Sequence, residues 1–140
     1  MATSRFVQHL NGYTGSLQNL RYVGVVGTRE SAPDAYDEVR RTLDLFRHGE
    51  DIVIVTGGAR GYDQLGMRYA AEHGLPCDIY YPLWDELGKR AGYVRNRDIV
   101  SHSDVIFAWP GIGGAGTQHT VNIAHKMGVN IIVREVERWS

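Results

Sequence analysis

The sequence has little cysteine, almost no net charge and no long apolar run, and each shortage argues against a class of protein. Cys77 is the single cysteine, which excludes a disulfide framework and a cysteine-based zinc site. The net charge is −1, whereas general nucleic-acid and membrane binders carry a broad basic excess. No apolar segment has membrane-spanning length, and the N-terminus lacks the apolar core of a secretion signal. We therefore expect a cytoplasmic protein with no membrane partner, and we disfavour nucleic acid as a partner.

Glycine, by contrast, is abundant. The 140 residues include 17 glycines, which cluster between apolar runs and so give loops unusual weight. With 43% apolar residues, a chain of this length fits one domain with a substantial core. We predict that this domain spans residues 21–140. Residues 1–20 place apolar side chains at helical spacing, and we predict an N-terminal arm that covers the sheet edge or packs on a partner subunit.

Five short apolar runs alternate with segments of helical spacing. The runs are residues 22–26, 51–55, 76–81, 105–109 and 129–133. Apolar strands that alternate with helices indicate a parallel sheet covered on both faces. The sequence therefore predicts an α/β protein with a Rossmann-like, doubly wound, mainly parallel five-stranded sheet and helices on both faces.

Glycine-rich loops follow the predicted strands and lead into helices. Residues 110–120 contain four glycines in a six-residue span, and residues 56–63 form a second loop of the same kind. Glycine lets the backbone approach a ligand without Cβ obstruction, and a helix N-terminus offers free N–H groups to an anion. In doubly wound sheets, ligands bind beyond the carboxyl ends of the strands. We therefore predict an anion-binding rim at this edge of the sheet.

Basic residues are concentrated in the same loops. The connections at the opposite edge instead carry Glu50, Asp51 and Glu72. The arginine guanidinium can bind phosphate through two parallel hydrogen bonds, which suits a phosphate-binding rim. The basic residues of the predicted rim are Arg29, Arg60, Lys89, Arg90, Arg95 and Arg97.

Two common phosphate-loop motifs are missing. The chain has no Gly-x-x-x-x-Gly-Lys-Ser/Thr run, which disfavours a P-loop nucleotidase. The first predicted strand is not followed by Gly-x-Gly-x-x-Gly, which disfavours an NAD-type Rossmann domain. Six histidines are scattered without metal-ligand spacing, so we predict no metal site and no certain cofactor.

Four short motifs occur in order along the chain. They are Gly27-Thr28-Arg29, Gly57-Gly58-Ala59-Arg60-Gly61 with Asp63, Ala91-Gly92 with Arg95-Asn96, and Gly113-Gly114-Ala115-Gly116-Thr117. Together they resemble the SLOG superfamily, most closely its YspA-like (DUF2493) branch. The resemblance covers roughly residues 22–133 and extends more distantly to the LOG phosphoribohydrolases and to DprA DNA-processing proteins. It implies a Rossmann-like fold that binds nucleotides or nucleotide-derived molecules.

The chain departs from the LOG pattern at one position. LOG enzymes are similar in this glycine motif but carry a glutamate at the position of Thr120, and no carboxylate follows on that helix before Met127. The resemblance makes Arg95 the counterpart of the arginine that pairs with that glutamate. Acid–base help at a ribose needs a titratable group within reach, so we leave enzymatic activity uncertain and disfavoured. Arg95 and Asp63 are the catalytic candidates, although N-capping of a helix is the simpler role for Asp63.

The leading hypothesis is a sensor, carrier or sequestering protein for a phosphorylated nucleotide or nucleotide-derived small molecule, assembled as a homodimer or higher homo-oligomer. The first alternative is an N-glycosidic hydrolase of nucleoside monophosphates. The second is DprA-like binding of single-stranded DNA, with Tyr62, Trp84 and Tyr93 available for stacking. The predicted ligand-binding residues are Gly27, Thr28, Arg29, Gly57, Gly58, Ala59, Arg60, Asp63, Arg95, Asn96, Gly113, Gly114, Ala115, Gly116 and Thr117.

Overall fold

Within residues 3–111 and 115–134, which are those that the computed structural model describes, six β-strands form one sheet. The strand order is β1-β4-β3-β2-β5-β6, with β1 antiparallel to β4 and the other neighbours parallel. The predicted mainly parallel α/β fold is confirmed, with one strand more than expected. The strands are β1 Arg5–His9, β2 Arg21–Gly27, β3 Ile52–Thr56, β4 Cys77–Tyr81, β5 Val105–Trp109 and β6 Asn130–Val133.

Helices cover both faces of the sheet. On one face α1 and α2 pack over a core that includes Val25, Leu43 and Tyr69, and on the other α4 and α5 pack over Ile106 and its neighbours. β3 and β5 are buried at every position, as apolar strands between two helical layers should be. The helices are α1 Ala35–Arg47, α2 Tyr62–Glu72, the single turn α3 Trp84–Leu87, α4 Ala91–Ser101 and α5 Ala115–Met127, with a 3₁₀ turn at Gly88–Arg90 between α3 and α4.

The parallel strands extend the sheet on both sides of β2. The chain first builds β3 and β4 on one side of β2 and then returns to add β5 and β6 on the other side. The loops that leave β2 and β5 therefore diverge to opposite faces of the sheet. A crevice opens between them at this switch point, where open α/β sheets bind their ligands.

The predicted N-terminal arm contains a strand, although the apolar spacing of residues 1–20 is compatible with one face of a helix. Arg5–His9 pairs with β4 along its whole length, and Phe6 packs on Tyr80 with 5.1 Å between ring centroids. The unpaired edge of β4 offers a ladder of hydrogen bonds, which outweighs a weak helical pattern interrupted by Gly12 and Gly15. The segment thus covers the sheet edge, the first of the two roles predicted for it.

Among the described residues, no helix has both the length and the apolar character that crossing a bilayer requires.

The pairing of β1 with β4 buries a carboxylate. Asp78 is 4% exposed, and its Oδ1 accepts a hydrogen bond of 2.7 Å from Gln8 Nε2 on the facing strand. Burial raises the Asp78 pKa, and the hydrogen bond from Gln8 opposes that rise.

We predict that Gln8→Ala lowers the free energy of unfolding by about 1–3 kcal/mol, because a buried acceptor loses its donor. Without Gln8 the Asp78 pKa rises further, so the loss should be larger at pH 7, where the charged form is required, than at pH 4. Urea denaturation at the two pH values measures both effects, and replacement of the neighbouring exposed His9 by alanine is the control. Equal losses at both pH values would contradict this account of Asp78.

Candidate functional site

A cavity of about 440 Å³ lies at the switch point between β2 and β5. Residues of all four sequence motifs line this switch-point cavity, although they are far apart in the chain. The lining residues are Val26, Gly27, Thr28, Arg29, Glu30, Ala59, Arg60, Asp63, Arg95, Asn96, Ile99, Gly116, Thr117 and Thr120.

The remaining predicted site residues lie behind the cavity or cannot be placed. Gly57 lies against Arg95 and Asp63, and Gly58 lies against the ring of Tyr81. Ala115 begins α5, whereas residues 113 and 114 fall outside the described residues.

The cavity is also lined by Val26, Glu30 and Ile99, for which the sequence predicted no role at the site. Val26 and Ile99 belong to the apolar core, and nothing in their local pattern distinguishes them from other core residues. Thr120 was noted only as a departure from the LOG motif. It lines the cavity at 2% exposure, and its hydroxyl donates to the Gly116 carbonyl oxygen at 3.4 Å.

The loop after β2 is packed backbone to backbone against both the end of β5 and the loop after β3. The Thr28 N–H donates to the Trp109 carbonyl oxygen at 2.8 Å, and the Tyr62 N–H donates to the Thr28 carbonyl oxygen at 3.2 Å. Gly61 has φ of 83°, and a Cβ there would overlap Thr28 O and lie 2.6 Å from the Arg29 carbonyl carbon. Only glycine permits both this backbone conformation and this approach. The loops after β2, β3 and β5 therefore form one connected wall.

Asp63 and Arg95 meet at Gly57 in the floor of the cavity. Arg95 Nη1 donates to the Gly57 carbonyl oxygen at 2.8 Å, and the Ala59 N–H donates to Asp63 Oδ2 at 3.3 Å. A Cβ on Gly57 would overlap the guanidinium and lie 2.9 Å from Asp63 Oδ2. The predicted N-cap role of Asp63 is wrong, because Gly61 occupies the cap position of α2 and the carboxylate instead reaches back to the preceding loop.

Burial and nearby groups act in opposite directions on the ionisation of this pair. Burial raises the pKa of Asp63 to about 6, while the Arg95 charge and the backbone N–H groups of Ala59, Gly27 and Gly57 limit the rise. Burial likewise lowers the pKa of Arg95, and the Asp63 carboxylate opposes that change. Burial therefore brings the pKa of Asp63 closer to neutral pH than that of an exposed aspartate.

Asn96 connects the pair to α5. Its Oδ1 accepts a hydrogen bond of 3.0 Å from Arg95 Nε, and its Nδ2 donates to the Gly116 carbonyl oxygen at 3.2 Å. Nδ2 also lies 3.1 Å from His119 Nδ1, and burial lowers the His119 pKa, which favours the neutral ring that can accept this hydrogen bond. The side chain of Asn96 thus fixes the first turn of α5 against α4.

The three aromatic residues named for stacking differ in exposure. Tyr62 is 3% exposed and stacks on Trp109 with 5.2 Å between centroids, so it belongs to the core and its predicted role as a stacking platform is wrong. Trp84 is 51% exposed and Tyr93 is 57% exposed. Tyr93 also packs edge-on against His119 at 4.4 Å, which places it next to the Asn96 network.

Arg29 and Arg60 are exposed at the cavity, and Arg95 is half-buried. In the described part of the chain, none of the three forms an ion pair with a carboxylate within 4.0 Å, whereas five other arginines do. Lys89, Arg90 and Arg97 are exposed but lie outside the cavity lining. The five paired arginines are Arg21, Arg40, Arg41, Arg68 and Arg134.

Comparison with protein families identifies the family. Residues 5–77, just over half of the chain, match the model of the DNA recombination-mediator protein A family. The chain belongs to this family. The match confirms the resemblance to DprA. The matched residues begin at β1, so they include the strand that lies in the predicted N-terminal arm.

Three individual proteins extend the comparison. The Gene 61 protein of Mycobacterium phage D29 is 34% identical over 96 residues, which are 64% of this chain and 76% of the phage protein. DNA processing protein A from Helicobacter pylori superposes with a TM-score of 0.62 at 19% identity, and that from Streptococcus pneumoniae with a TM-score of 0.66 at 17% identity. Each superposition covers 81% of this chain but only 64% and 50% of the respective relative, so this chain spans less than two thirds of either structure.

Family membership corrects the prediction of the partner. The expected phosphorylated nucleotide or nucleotide-derived ligand, with nucleic acid disfavoured, is wrong for a chain in a family of DNA recombination mediators. The net charge of −1 was misleading because it averages over the whole surface. Among the described residues, five carboxylates pair with arginines away from the cavity, whereas the arginines of the cavity form no such pair.

We predict that Gly61→Ala destabilises the protein by at least about 2 kcal/mol more than Gly49→Ala does. Both glycines have positive φ, but a Cβ at Gly49 meets no atom within 4 Å, so the difference isolates the contact with the loop after β2. Urea denaturation of the two variants measures it. Equal losses would show that the two loops are not held together by this close approach.

Proposed function

We propose that this chain binds single-stranded DNA, with the phosphate backbone crossing the switch-point cavity and bases stacking on exposed aromatic rings beside it. The observation that carries the proposal is that Arg29 and Arg60 are both exposed at one open cavity and, among the described residues, have no carboxylate partner within 4.0 Å. Its solved relative from Helicobacter pylori binds single-stranded DNA, and membership of the DNA recombination-mediator family agrees with that ligand.

Charge and shape favour an extended polyanion over a single phosphate group. Arg29 and Arg60 come from different loops and are exposed to solvent, so each can reach a separate phosphate along a strand. Affinity for nucleic acid comes largely from such contacts, through release of counterions from the backbone. A chain with little net charge can therefore bind DNA if its unpaired cations lie along one path.

A shallow groove next to the cavity offers room for bases. It has a volume of about 470 Å³ and is lined by Tyr93, Gln118, His119 and Asn122. The hydrogen bond between Asn96 and His119 joins the groove to the cavity. Stacking on an aromatic ring requires an unpaired base, so this arrangement favours single strands over duplex.

The proposal contains no chemical step. Arg95 and Asp63, the catalytic candidates of the sequence, bond the Gly57 carbonyl oxygen and the Ala59 N–H, respectively. Gly27, Thr28, Ala59, Gly116 and Thr117 form the wall along which the strand passes. Assignment to the YspA-like branch stays a prediction.

We predict that Arg29→Ala and Arg60→Ala each weaken binding of a fluorescent oligothymidylate about three- to tenfold at low salt. Each should also reduce the slope of log affinity against log salt by about 0.7, the value for one phosphate contact on a single strand. Fluorescence anisotropy at several salt concentrations measures both quantities. Arg68→Ala is the matched control, because that exposed arginine already pairs with Glu72 at 3.1 Å on α2.

Binding that does not depend on salt, or equal effects of all three substitutions, would contradict a path along the switch-point cavity.

We predict that Tyr93→Ala weakens oligonucleotide binding about tenfold, since a stacked base contributes about 1–3 kcal/mol. Tyr93→Phe keeps the ring and should bind within about twofold of the unchanged protein. The same anisotropy assay separates the two variants. If alanine and phenylalanine behave alike, no base stacks at this position.

A further inference from the structure

The cavity has an acidic floor, which is unexpected in a site proposed to bind a polyanion. Asp63 is 5% exposed, yet it lines the cavity together with Arg29, Arg60 and Arg95. A negative charge at this position repels the phosphate backbone of DNA, so a different role is needed to explain its presence in the cavity. The inference below rests on the proposed function and concerns what this carboxylate does at the same site.

We infer that Asp63 acts as an internal anion in the floor of the cavity. Its carboxylate takes the loop amides that would otherwise bind a phosphate and offsets the charge of Arg95. The DNA backbone is consequently held at the cavity mouth by Arg29 and Arg60. Asp63 is a positioning residue in this arrangement and does not contact the DNA.

The first support is the direction of the backbone amides. The Ala59 N–H donates to Asp63 Oδ2 at 3.3 Å, and the N–H groups of Gly27 and Gly57 stabilise the same carboxylate. Glycine loops before helices bind phosphate when such amides point at the ligand. Here the protein's own side chain is their acceptor, so these amides are not available to a phosphate unless Asp63 withdraws.

The second support is the position of Arg95. Its Nη1 is engaged by the Gly57 carbonyl oxygen at 2.8 Å and its Nε by Asn96 Oδ1 at 3.0 Å. Asp63 Oδ2 and the Arg95 guanidinium lie on the same side of Gly57, and the negative charge of Asp63 favours the charged form of Arg95. Arg95 is therefore held in the floor, while the exposed Arg29 and Arg60 keep their charge at the surface.

The ionisable groups around Asp63 come from every element that surrounds the cavity. Arg95 on α4 is adjacent, Arg29 and Glu30 follow β2, and Arg60 follows β3. From α5, His119 connects through Asn96. Of these, Asp63 has its pKa raised to about 6 by burial, whereas burial lowers the pKa of His119 and so disfavours its protonation.

Proton uptake should therefore accompany DNA binding. A bound phosphate backbone disfavours the charged Asp63 carboxylate and raises its pKa above the value of about 6 in the free protein. By linkage, affinity must increase as the pH falls through this range. If DNA binding raises the Asp63 pKa by one further unit, the affinity for DNA can increase at most tenfold as the pH falls. Between pH 7.5 and pH 5 the expected increase in affinity is about fivefold to tenfold.

The test compares the unchanged protein with Asp63→Asn in oligothymidylate binding from pH 5 to pH 8. Asparagine keeps an acceptor for the Ala59 N–H but removes the charge. We expect Asp63→Asn to bind about fivefold to tenfold more tightly at pH 7.5, to match the unchanged protein at pH 5, and to lose most of the pH dependence. His119→Gln should keep that dependence, which separates the two titrating groups.

A second variant keeps the test decisive if Asp63→Asn does not fold, as judged by its thermal unfolding transition. Arg95→Gln removes the charge that limits the Asp63 pKa, so the increase in affinity should begin at a higher pH than in the unchanged protein. Salt slopes provide an independent measure. Arg29→Ala and Arg60→Ala should each lower the slope, whereas Arg95→Gln should leave it unchanged because Arg95 contacts no phosphate.

The outcomes distinguish this inference from the proposed function. If the unchanged protein does not bind the oligonucleotide at any pH, the proposed function fails. If it binds but Asp63→Asn shows the same affinity and the same pH profile, DNA binding stands and the role of Asp63 is overturned. Loss of the pH dependence in His119→Gln instead would assign the titration to the histidine and would also overturn it.

Discussion

The close packing of Asp63 and Arg95 around Gly57 organises the whole site. It joins the loop after β3 to α4, and Asn96 extends the connection from α4 to α5. The loop after β2 joins from the other side, where Gly61 allows its backbone to touch Thr28. Three loops and two helices are thus joined by hydrogen bonds between their backbone and side-chain groups. A site built in this way is already in place before a ligand arrives, so binding costs little ordering of the chain.

The strands and the location of the site could be predicted because both depend on local patterns. The buried runs in β3 and β5 are apolar at nearly every position, which is unambiguous for strands covered on both faces. Glycines and arginines that follow successive parallel strands must meet at one edge of the sheet, and the cavity lies at that edge. Gly113 and Gly114, central to the sequence argument, fall outside the described residues, yet the remaining motifs are sufficient to place the site.

The errors came from features that depend on tertiary contacts. Nothing local in Arg5–His9 shows that β4 has a free edge to pair with, so the sequence predicted an arm and did not predict this strand. Tyr62 resembles a rim aromatic in sequence, but it stacks on Trp109 below the loop. The choice of ligand failed for a similar reason. Glycine loops predict amides for a phosphate, and only the folded structure shows that a carboxylate four residues beyond Ala59 accepts one of them.

The hydrogen bond between Gln8 and Asp78 has a consequence for folding and solubility. The contacts between β1 and β4 join residues near the start of the chain to residues about 70 positions later, so they close one of the longest loops of the fold. Until β1 docks, β4 is a free strand edge that could pair with another molecule. A charged carboxylate near the start of that strand makes such pairing costly, because a foreign strand must bury it without Gln8. We therefore expect Asp78 to disfavour pairing of the incomplete sheet with other molecules before β1 docks.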